Sequence, residues 1–99
     1  IISAANYIKT RANSAEILQD QSTLIVGYTK STSKNKMITR ILSDGNMDLT
    51  FGNKGFVIEN DSADSQLYAV KTRGISHFFV AGREMGNCDF EPVLMSYFY

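Results

Sequence analysis

The sequence predicts an all-β fold made of two four-stranded antiparallel sheets, and three observations lead to this prediction. Short apolar segments alternate with clusters of Gly, Asn, Asp, Ser and Thr along the chain, which is typical of strands joined by tight turns. No segment repeats apolar residues at helical spacing over several turns, so helix content should be small. The same succession of segments occurs twice, about 55 residues apart.

The duplication supplies the order of the strands. "TLIVGYT" at 23–29 matches "FFVAGRE" at 78–84, with Gly27 and Gly82 in corresponding places. Three further pairs of segments correspond at a similar offset: "IISAAN" (1–6) with "FVIEND" (56–61), "NSAEILQ" (13–19) with "LYAVKTR" (67–73), and "MITRIL" (37–42) with "VLMSYF" (93–98). Each copy therefore holds four predicted strands, and Pro92 precedes the last strand, where its missing N–H does little harm.

The third strand of each copy indicates how the sheets pack. Leu24, Ile25 and Val26 are consecutive apolar residues, as are those at 78–81, so both faces of the sheet should be covered there. Short polar connectors such as "QDQS" imply antiparallel hairpins, and antiparallel four-stranded sheets covered on both faces are found in the blades of β-propellers. We therefore predict two propeller-type blades in a single module, 1–42 and 56–99, joined by 43–55.

Composition excludes several classes of function. The 99 residues suffice for one small domain, and ten Lys and Arg balance ten Asp and Glu, so no basic surface favours nucleic acid or an anionic membrane. Cys88 is the only cysteine, which rules out an internal disulfide and a zinc site built from paired cysteines. The chain opens "IISAANY" without an initiating Met, which suggests a processed or excised chain and leaves its localisation open.

The stretch "DGNMDLTFGNKGFV" at 44–57 resembles the signature of the delta-60 repeat, a bacterial module of β-propeller type. The segments ending at Gly27 and Gly82 are similar to the second recurrent element of that family, a strand that closes on Val-Ala-Gly. The resemblance implies a scaffold without a transferable reaction or cofactor, and it favours a secreted or cell-surface protein. Seven residues occupy the typed positions of the signature: Asp44, Gly45, Met47, Asp48, Phe51, Gly52 and Gly55.

The signature loop, residues 43–55, allows two interpretations. Asp44, Asn46 and Asp48 have the spacing of the first oxygen ligands in an EF-hand, which would suit calcium. The rest of that pattern fails, because Leu49 stands where the turn glycine should be and Gly55 stands where a bidentate Glu is required. We favour a structural corner, in which Asp-Gly forms a turn, Asp48 accepts backbone N–H groups and an aromatic side chain plugs the end of the sheet.

Other candidate residues favour structural roles. His77 is the only histidine and lies at a strand start, where a hydrogen-bonded histidine is commoner than a catalytic base. Acidic neighbours disfavour a thiolate at Cys88, so we interpret it as an incidental thiol. The basic segment "KSTSKNK" at 30–36 fits a solvated hairpin loop better than an anion site. Aromatic residues near the end of the chain favour strand packing or a subunit interface over a stacking platform: Phe90, Tyr97, Phe98 and Tyr99.

For function we expect a non-enzymatic scaffold or binding module whose loops meet a protein or glycan partner. The alternatives are an enzyme whose pocket forms only on ring assembly, using His77, Asp44 or Asp48 from several copies, and a calcium-dependent module at 44–48. Two blades cannot close a ring, and apolar outer faces are rare on soluble monomers. We therefore expect a homo-oligomer, such as a trimer with six blades, or further blades in a longer chain.

Overall fold

The computed structural model describes residues 9–30, 33–59, 64–73, 77–85 and 90–98, and in these ranges every regular element is a strand. The chain is thus all-β, as the sequence predicted. Nowhere in the described ranges is there a helix with the length and apolarity needed to cross a membrane. The strands are β1 (Lys9–Ile17), β2 (Thr23–Lys30), β3 (Lys34–Ile41), β4 (Phe56–Glu59), β5 (Ser65–Arg73), β6 (His77–Met85) and β7 (Phe90–Phe98).

The strands form two antiparallel sheets in chain order. The first sheet has the order β1-β2-β3-β4 and the second has β5-β6-β7. Phe56–Glu59, expected to begin the second copy, instead pairs with β3 and completes the first sheet. The signature loop causes this, because it reverses the chain and returns it along β3. The expected first strand at 1–6 lies outside the described residues.

Each sheet contains the same local unit, a β-bulge opposite a glycine. In the first sheet Ala12 pairs with Gly27 and Ser14 with Val26, so that Asn13 is the extra residue. In the second sheet Leu67 pairs with Gly82 and Ala69 with Ala81, so that Tyr68 is the extra residue. The two bulges and the two glycines are each separated by 55 residues, so the duplication seen in the sequence is also present in the strand registers.

The glycines are required because the bulged strand approaches them closely. A Cβ atom added at Gly27 would lie 1.8 Å from the carbonyl oxygen of Arg11, and one added at Gly82 would lie 2.0 Å from that of Gln66. Arg11 and Gln66 are again 55 residues apart. The glycine that ends each "IVG" or "VAG" segment thus makes room for the backbone of the neighbouring strand.

The equivalence of the registers lets the two faces of each sheet be compared. We define the front face by Leu24, Val26 and Ile38 in the first sheet, whose equivalents in the second are Phe79, Ala81 and Leu94. We define the back face by Ala15, Ile25 and Thr39 in the first sheet, whose equivalents in the second are Val70, Val80 and Met95. Cross-strand partners share a face, and consecutive residues point to opposite faces, which fixes these sets.

The main core lies between the front face of the first sheet and the back face of the second. Leu24, Val26 and Ile38 are at most 1% exposed and pack with Val70 and Val80. Full burial of each such side chain contributes roughly 1.5–3 kcal/mol to the free energy of unfolding. The two equivalent sheets therefore stack head to tail, with unlike faces in contact, rather than facing each other symmetrically.

Polar contacts also connect the two sheets. The side-chain amide of Asn13 donates to the carbonyl oxygen of Leu67 over 2.8 Å and to the side-chain oxygen of Gln66 over 3.0 Å. Near the β2–β3 hairpin, the buried Lys36 Nζ lies 2.9 Å from Glu84 Oε2. Both contacts join the first sheet to the second, so the stacked arrangement is specified by paired polar groups as well as by apolar area.

The outer faces are only partly covered. A second apolar cluster, in which Met47 of the signature loop packs against Met37 and Phe56, protects part of the back face of the first sheet. Elsewhere on that face Ile17 is 69% exposed, and on the front face of the second sheet Leu94 is 74% exposed. The sequence predicted two dry faces for the third strand of each copy, whereas in the described residues each sheet buries one face and leaves the other half-covered.

Candidate functional site

The signature loop begins as a tight turn directly after β3. Leu42 N–H donates to the carbonyl oxygen of Asn46 over 2.8 Å, and Gly45 N–H donates to that of Leu42 over 2.9 Å. The Asp44 carboxylate accepts the backbone N–H of Asn46 over 2.9 Å, and Gly45 has φ of 89°. This geometry belongs to an Asp-Gly turn, in which the aspartate carboxylate accepts a hydrogen bond from its own backbone two residues later.

Asp48 occupies the centre of the corner. It is 9% exposed, and its Oδ1 accepts bonds from the backbone N–H of Thr50 over 3.0 Å and from the Thr50 hydroxyl over 2.6 Å. The Thr50 hydroxyl is the main reason that the pKa of Asp48 is lowered; burial acts in the opposite direction, while the Thr50 N–H and the Arg40 charge lower it further. The carboxylate is therefore held as an anion by the loop itself.

The second half of the loop turns back toward β4. Gly55 N–H donates to the carbonyl oxygen of Phe51 over 3.0 Å, and the Gly55 carbonyl accepts the hydroxyl of Thr39 over 2.6 Å. Gly52 and Gly55 have φ of 61° and 97°, which an L side chain rarely adopts. Phe51 packs against the main core. These contacts are those of a structural corner, and the identity of the loop as a family signature stays a prediction.

Arg40 connects this corner to the β1–β2 turn, a connection that the sequence analysis missed. Its Nε donates to the Ser22 hydroxyl over 3.0 Å, one terminal nitrogen donates to Asp20, and the other lies 3.6 Å from Asp48 Oδ2. The pKa of Asp20 is lowered chiefly by the Ser22 hydroxyl, with the Ser22 N–H and Arg40 acting in the same direction. One signal was available, since Arg40 is the only charged residue in the apolar run "MITRIL".

A cleft of about 410 Å³ opens beside this network, between the ends of the two sheets. On its aromatic side Phe78 and Tyr97 stack with ring centroids 5.5 Å apart, and the Tyr97 hydroxyl donates to Glu59 Oε1 over 2.8 Å. Burial, followed by the bond to Glu59, raises the pKa of Tyr97 well above its ordinary value. The lining residues are Arg40, Asp48, Thr50, Phe51, Gly52, Val57, Phe78 and Tyr97.

The chemistry of the cleft is that of a polar and aromatic binding surface. Its one cation, Arg40, already donates hydrogen bonds to Ser22 and Asp20. The raised pKa of Tyr97 keeps its hydroxyl protonated at neutral pH, and this hydroxyl donates its hydrogen bond to Glu59. Ser22 is 1% exposed, so its hydroxyl is inaccessible to a substrate. A planar or apolar group could stack in the cleft, and the two hydroxyls that line it already donate to carboxylates, that of Thr50 to Asp48 and that of Tyr97 to Glu59.

The other sequence candidates lie apart from this cleft or outside the described residues. His77 begins β6, opposite Arg73 and Phe98. Cys88 and Tyr99 fall outside the described ranges. In 33–59, 64–73 and the other described segments, no three His, Cys, Asp or Glu side chains are grouped so as to hold a metal ion.

The basic segment at 30–36 differs from the solvated loop that we expected. β2 continues to Lys30 and β3 begins at Lys34, so most of the segment is strand. Lys34 Nζ lies 4.7 Å from the ring centroid of Tyr28, and Lys36 is buried against Glu84. Lys30 and Lys34 pair with each other at the ends of the two strands, which polar composition alone did not reveal.

Comparisons of the chain with protein-family models, with the curated proteins and with the solved structures gave no match. The functional argument therefore depends on the geometry of this chain.

Proposed function

We propose that the protein is a non-enzymatic scaffold or binding module made of propeller-type repeats, related to the delta-60 repeat, whose loops present a surface to a protein or glycan. The observation that carries the proposal is the head-to-tail stacking of two equivalent sheets. Leu24 on the front face of one sheet packs in the same core as Val80 on the back face of the next. Repeats that stack in this manner form extended or closed frames that carry loops.

Head-to-tail stacking favours a propeller over a two-sheet sandwich. In a sandwich the inner faces bury the apolar residues and the outer faces are polar. Here the outer front face of the second sheet carries Phe79, Ala81 and Leu94 where the first sheet carries core residues. An apolar residue at each of these three positions is expected if every sheet has the same two neighbours in a ring.

The polar groups around the cleft support a scaffold rather than an enzyme. Arg40 bonds to Ser22 and Asp20, Asp48 bonds to Thr50, and Tyr97 bonds to Glu59. The Arg40 bonds connect β3 to the β1–β2 turn, the Tyr97 bond connects the two sheets, and the Asp48 bond closes a turn within the signature loop, so the network holds the corner in place. A catalytic site would instead direct an activated group toward the open space.

The proposal is tested with a panel of esterase, glycosidase, phosphatase and peptidase substrates, using the wild-type chain and His77→Ala. His77 is the only histidine and hence the side chain best suited to act as a base near neutral pH. We expect no turnover above buffer for either protein. Turnover that copurifies with the wild type and falls at least tenfold in a folded His77→Ala variant would contradict the scaffold proposal.

A further inference from the structure

We propose that the front face of the second sheet is the docking surface for a second copy of this chain, which binds through the back face of its first sheet. This inference rests on the proposed propeller-type function and names the partner. The contact would repeat, between chains, the contact that already joins the two sheets within one chain. That internal contact shows which surface fits the front face. On the first sheet the equivalent surface is partly exposed, at Ala15, Ile17 and Ile25, whereas Thr39 is covered by the signature loop.

The front face of the second sheet has the residues of a core surface. Phe79 stands at the position of Leu24 and Leu94 at that of Ile38, both of which are buried in the internal contact. Leu94 is 74% exposed, and Phe79 is half-buried with the Arg73 guanidinium 6.0 Å from its ring centroid. A leucine exposed to this extent in mid-strand beside an aromatic ring is typical of a surface that another sheet covers.

The back face of the first sheet offers the matching surface. Ile25 stands at the position of Val80, which is fully buried, and it is only half-buried. Ile17, on the same face, is 69% exposed, whereas its equivalent Thr72 is half-buried beside the core residue Phe78. On this face of the first sheet, Ile25 and Ile17 are therefore more exposed than their equivalents in the second sheet.

The bulge residues provide a second point of correspondence. Within the chain, Asn13 of the first bulge donates to Leu67 on the strand of the second bulge. In the second sheet Tyr68 takes the place of Asn13; it is 43% exposed, and the Arg83 guanidinium lies 5.4 Å from its ring centroid. In the docked pair Tyr68 would face Ala12 of the second copy, because Ala12 is the equivalent of Leu67.

The unlike faces distinguish this contact from an ordinary two-fold dimer. A two-fold axis joins the same surface on both chains, whereas the proposed contact uses two different surfaces. A chain with a damaged front face should still offer an intact back face, and the converse should also hold. This property gives a test that a symmetric dimer would fail.

The test uses light scattering behind a sizing column over a range of concentrations, with the wild type, Leu94→Arg and Ile17→Arg. We expect the wild type to give a mass that is a multiple of the 11.0 kDa chain. Leu94→Arg damages only the front face of the second sheet and Ile17→Arg only the back face of the first, so each should reduce the mass. Leu49→Arg is the control, because Leu49 is 68% exposed but lies in the signature loop.

The deciding measurement is a 1:1 mixture of Leu94→Arg and Ile17→Arg. The intact back face of the first variant should bind the intact front face of the second, giving a heterodimer of two chains. Circular dichroism melting of each variant alone shows whether it is folded, and a second substitution on each face, Phe79→Glu or Ile25→Glu, replaces any variant that is not.

Three results would overturn the inference: a monomeric wild type at every concentration, folded face variants that associate as the wild type does, or a mixture that stays monomeric. A symmetric dimer through one of these faces produces the second result for the variant whose substitution lies on the other face. Such results would leave the scaffold proposal intact, since that proposal is tested by turnover. Turnover would contradict the scaffold proposal without changing the measured mass, so the two failures are distinguishable.

Discussion

The side-chain amide of Asn13 donates to the backbone carbonyl of Leu67 over 2.8 Å, and this bond joins the bulged strand of one sheet to the bulged strand of the other. Asn13 is available for this bond because it is the extra residue of its bulge and has no directly opposed partner on β2. The irregularity that interrupts one sheet thus supplies its connection to the next.

Replacement of Asn13 should weaken the contact between the sheets. Asn13→Ala removes the bonds to Leu67 and Gln66, and we expect the free energy of unfolding to fall by about 1–2 kcal/mol. Asn13→Asp should cost more, because an acidic acceptor would replace the donor that faces a carbonyl oxygen. Urea unfolding followed by circular dichroism measures both, and equal stability of the three proteins would contradict the proposed connection.

The two bulge-facing glycines should be equally intolerant of a side chain. A methyl group at Gly27 or Gly82 would overlap the backbone carbonyl of the bulged strand, which cannot move without breaking the pairing. We expect Gly27→Ala and Gly82→Ala each to cost on the order of 3 kcal/mol or more, or to prevent folding. The measurement is the melting temperature, with soluble yield where no transition is seen.

Gly45→Ala is the control for this pair. Gly45 has φ of 89° but no heavy atom within 4 Å of an added Cβ, so only backbone strain is introduced. The expected cost is about 1 kcal/mol. If all three alanine variants were equally stable, the close approach at the bulges would be irrelevant to stability.

Two buried threonines should respond in opposite directions to the same substitution. Thr29 and Thr39 are both 0% exposed. The Thr29 hydroxyl has no hydrogen-bond partner among the described residues, whereas that of Thr39 donates to Gly55. Thr29→Val should therefore stabilise the protein by about 1 kcal/mol, and Thr39→Val should destabilise it by about 1–2 kcal/mol. Thermal melts of the matched pair measure this, and the same sign for both would contradict the assigned bonds.

Asp48 should make stability depend on pH in the acid range. Its pKa is lowered in the folded protein, so its contribution is fully present above the unfolded value of about 3.9 and is lost as pH falls through the lower folded value. We expect Asp48→Asn to be less stable than the wild type by about 1 kcal/mol at pH 7, and this difference should shrink as the pH falls through the acid range.

The comparison between the two proteins isolates this residue. Asp20 also has a lowered pKa and contacts the same arginine, but it titrates in both proteins and largely cancels in the difference. Unfolding curves recorded from pH 2 to pH 7 give the measurement. A difference between wild type and Asp48→Asn that does not change with pH would show that the charge of Asp48 has no role in the corner.

The sequence predicted the all-β class and the internal duplication because both depend on local patterns. Gly27 and Gly82 stand out in an apolar segment, and their spacing survives in the strand registers. The strand at Phe56–Glu59 was assigned to the wrong sheet for a physical reason. A short apolar segment between two sheets can pair with either edge, and only the course of the signature loop brings it back to β3.

The candidate site was predictable only in part. The turn-forming roles of Asp44 and Asp48 follow from their neighbours, since each accepts a bond from a residue two positions later. Arg40 contacts Asp20, which is far from it in sequence, and such contacts depend on the register between β2 and β3. The cleft beside Tyr97 depends on how two sheets stack, which no local pattern specifies.

A stack in which unlike faces meet has a direction, since its two ends expose different surfaces. Growth from such a stack ends only if the rotation from one sheet to the next divides a full circle; otherwise the same contact extends into a filament. Strand twist depends on local irregularities, and here each sheet carries one bulge with its glycine. In the proposed assembly, a change of backbone geometry at a single bulge would alter this rotation and so convert a closed ring into an open-ended fibre.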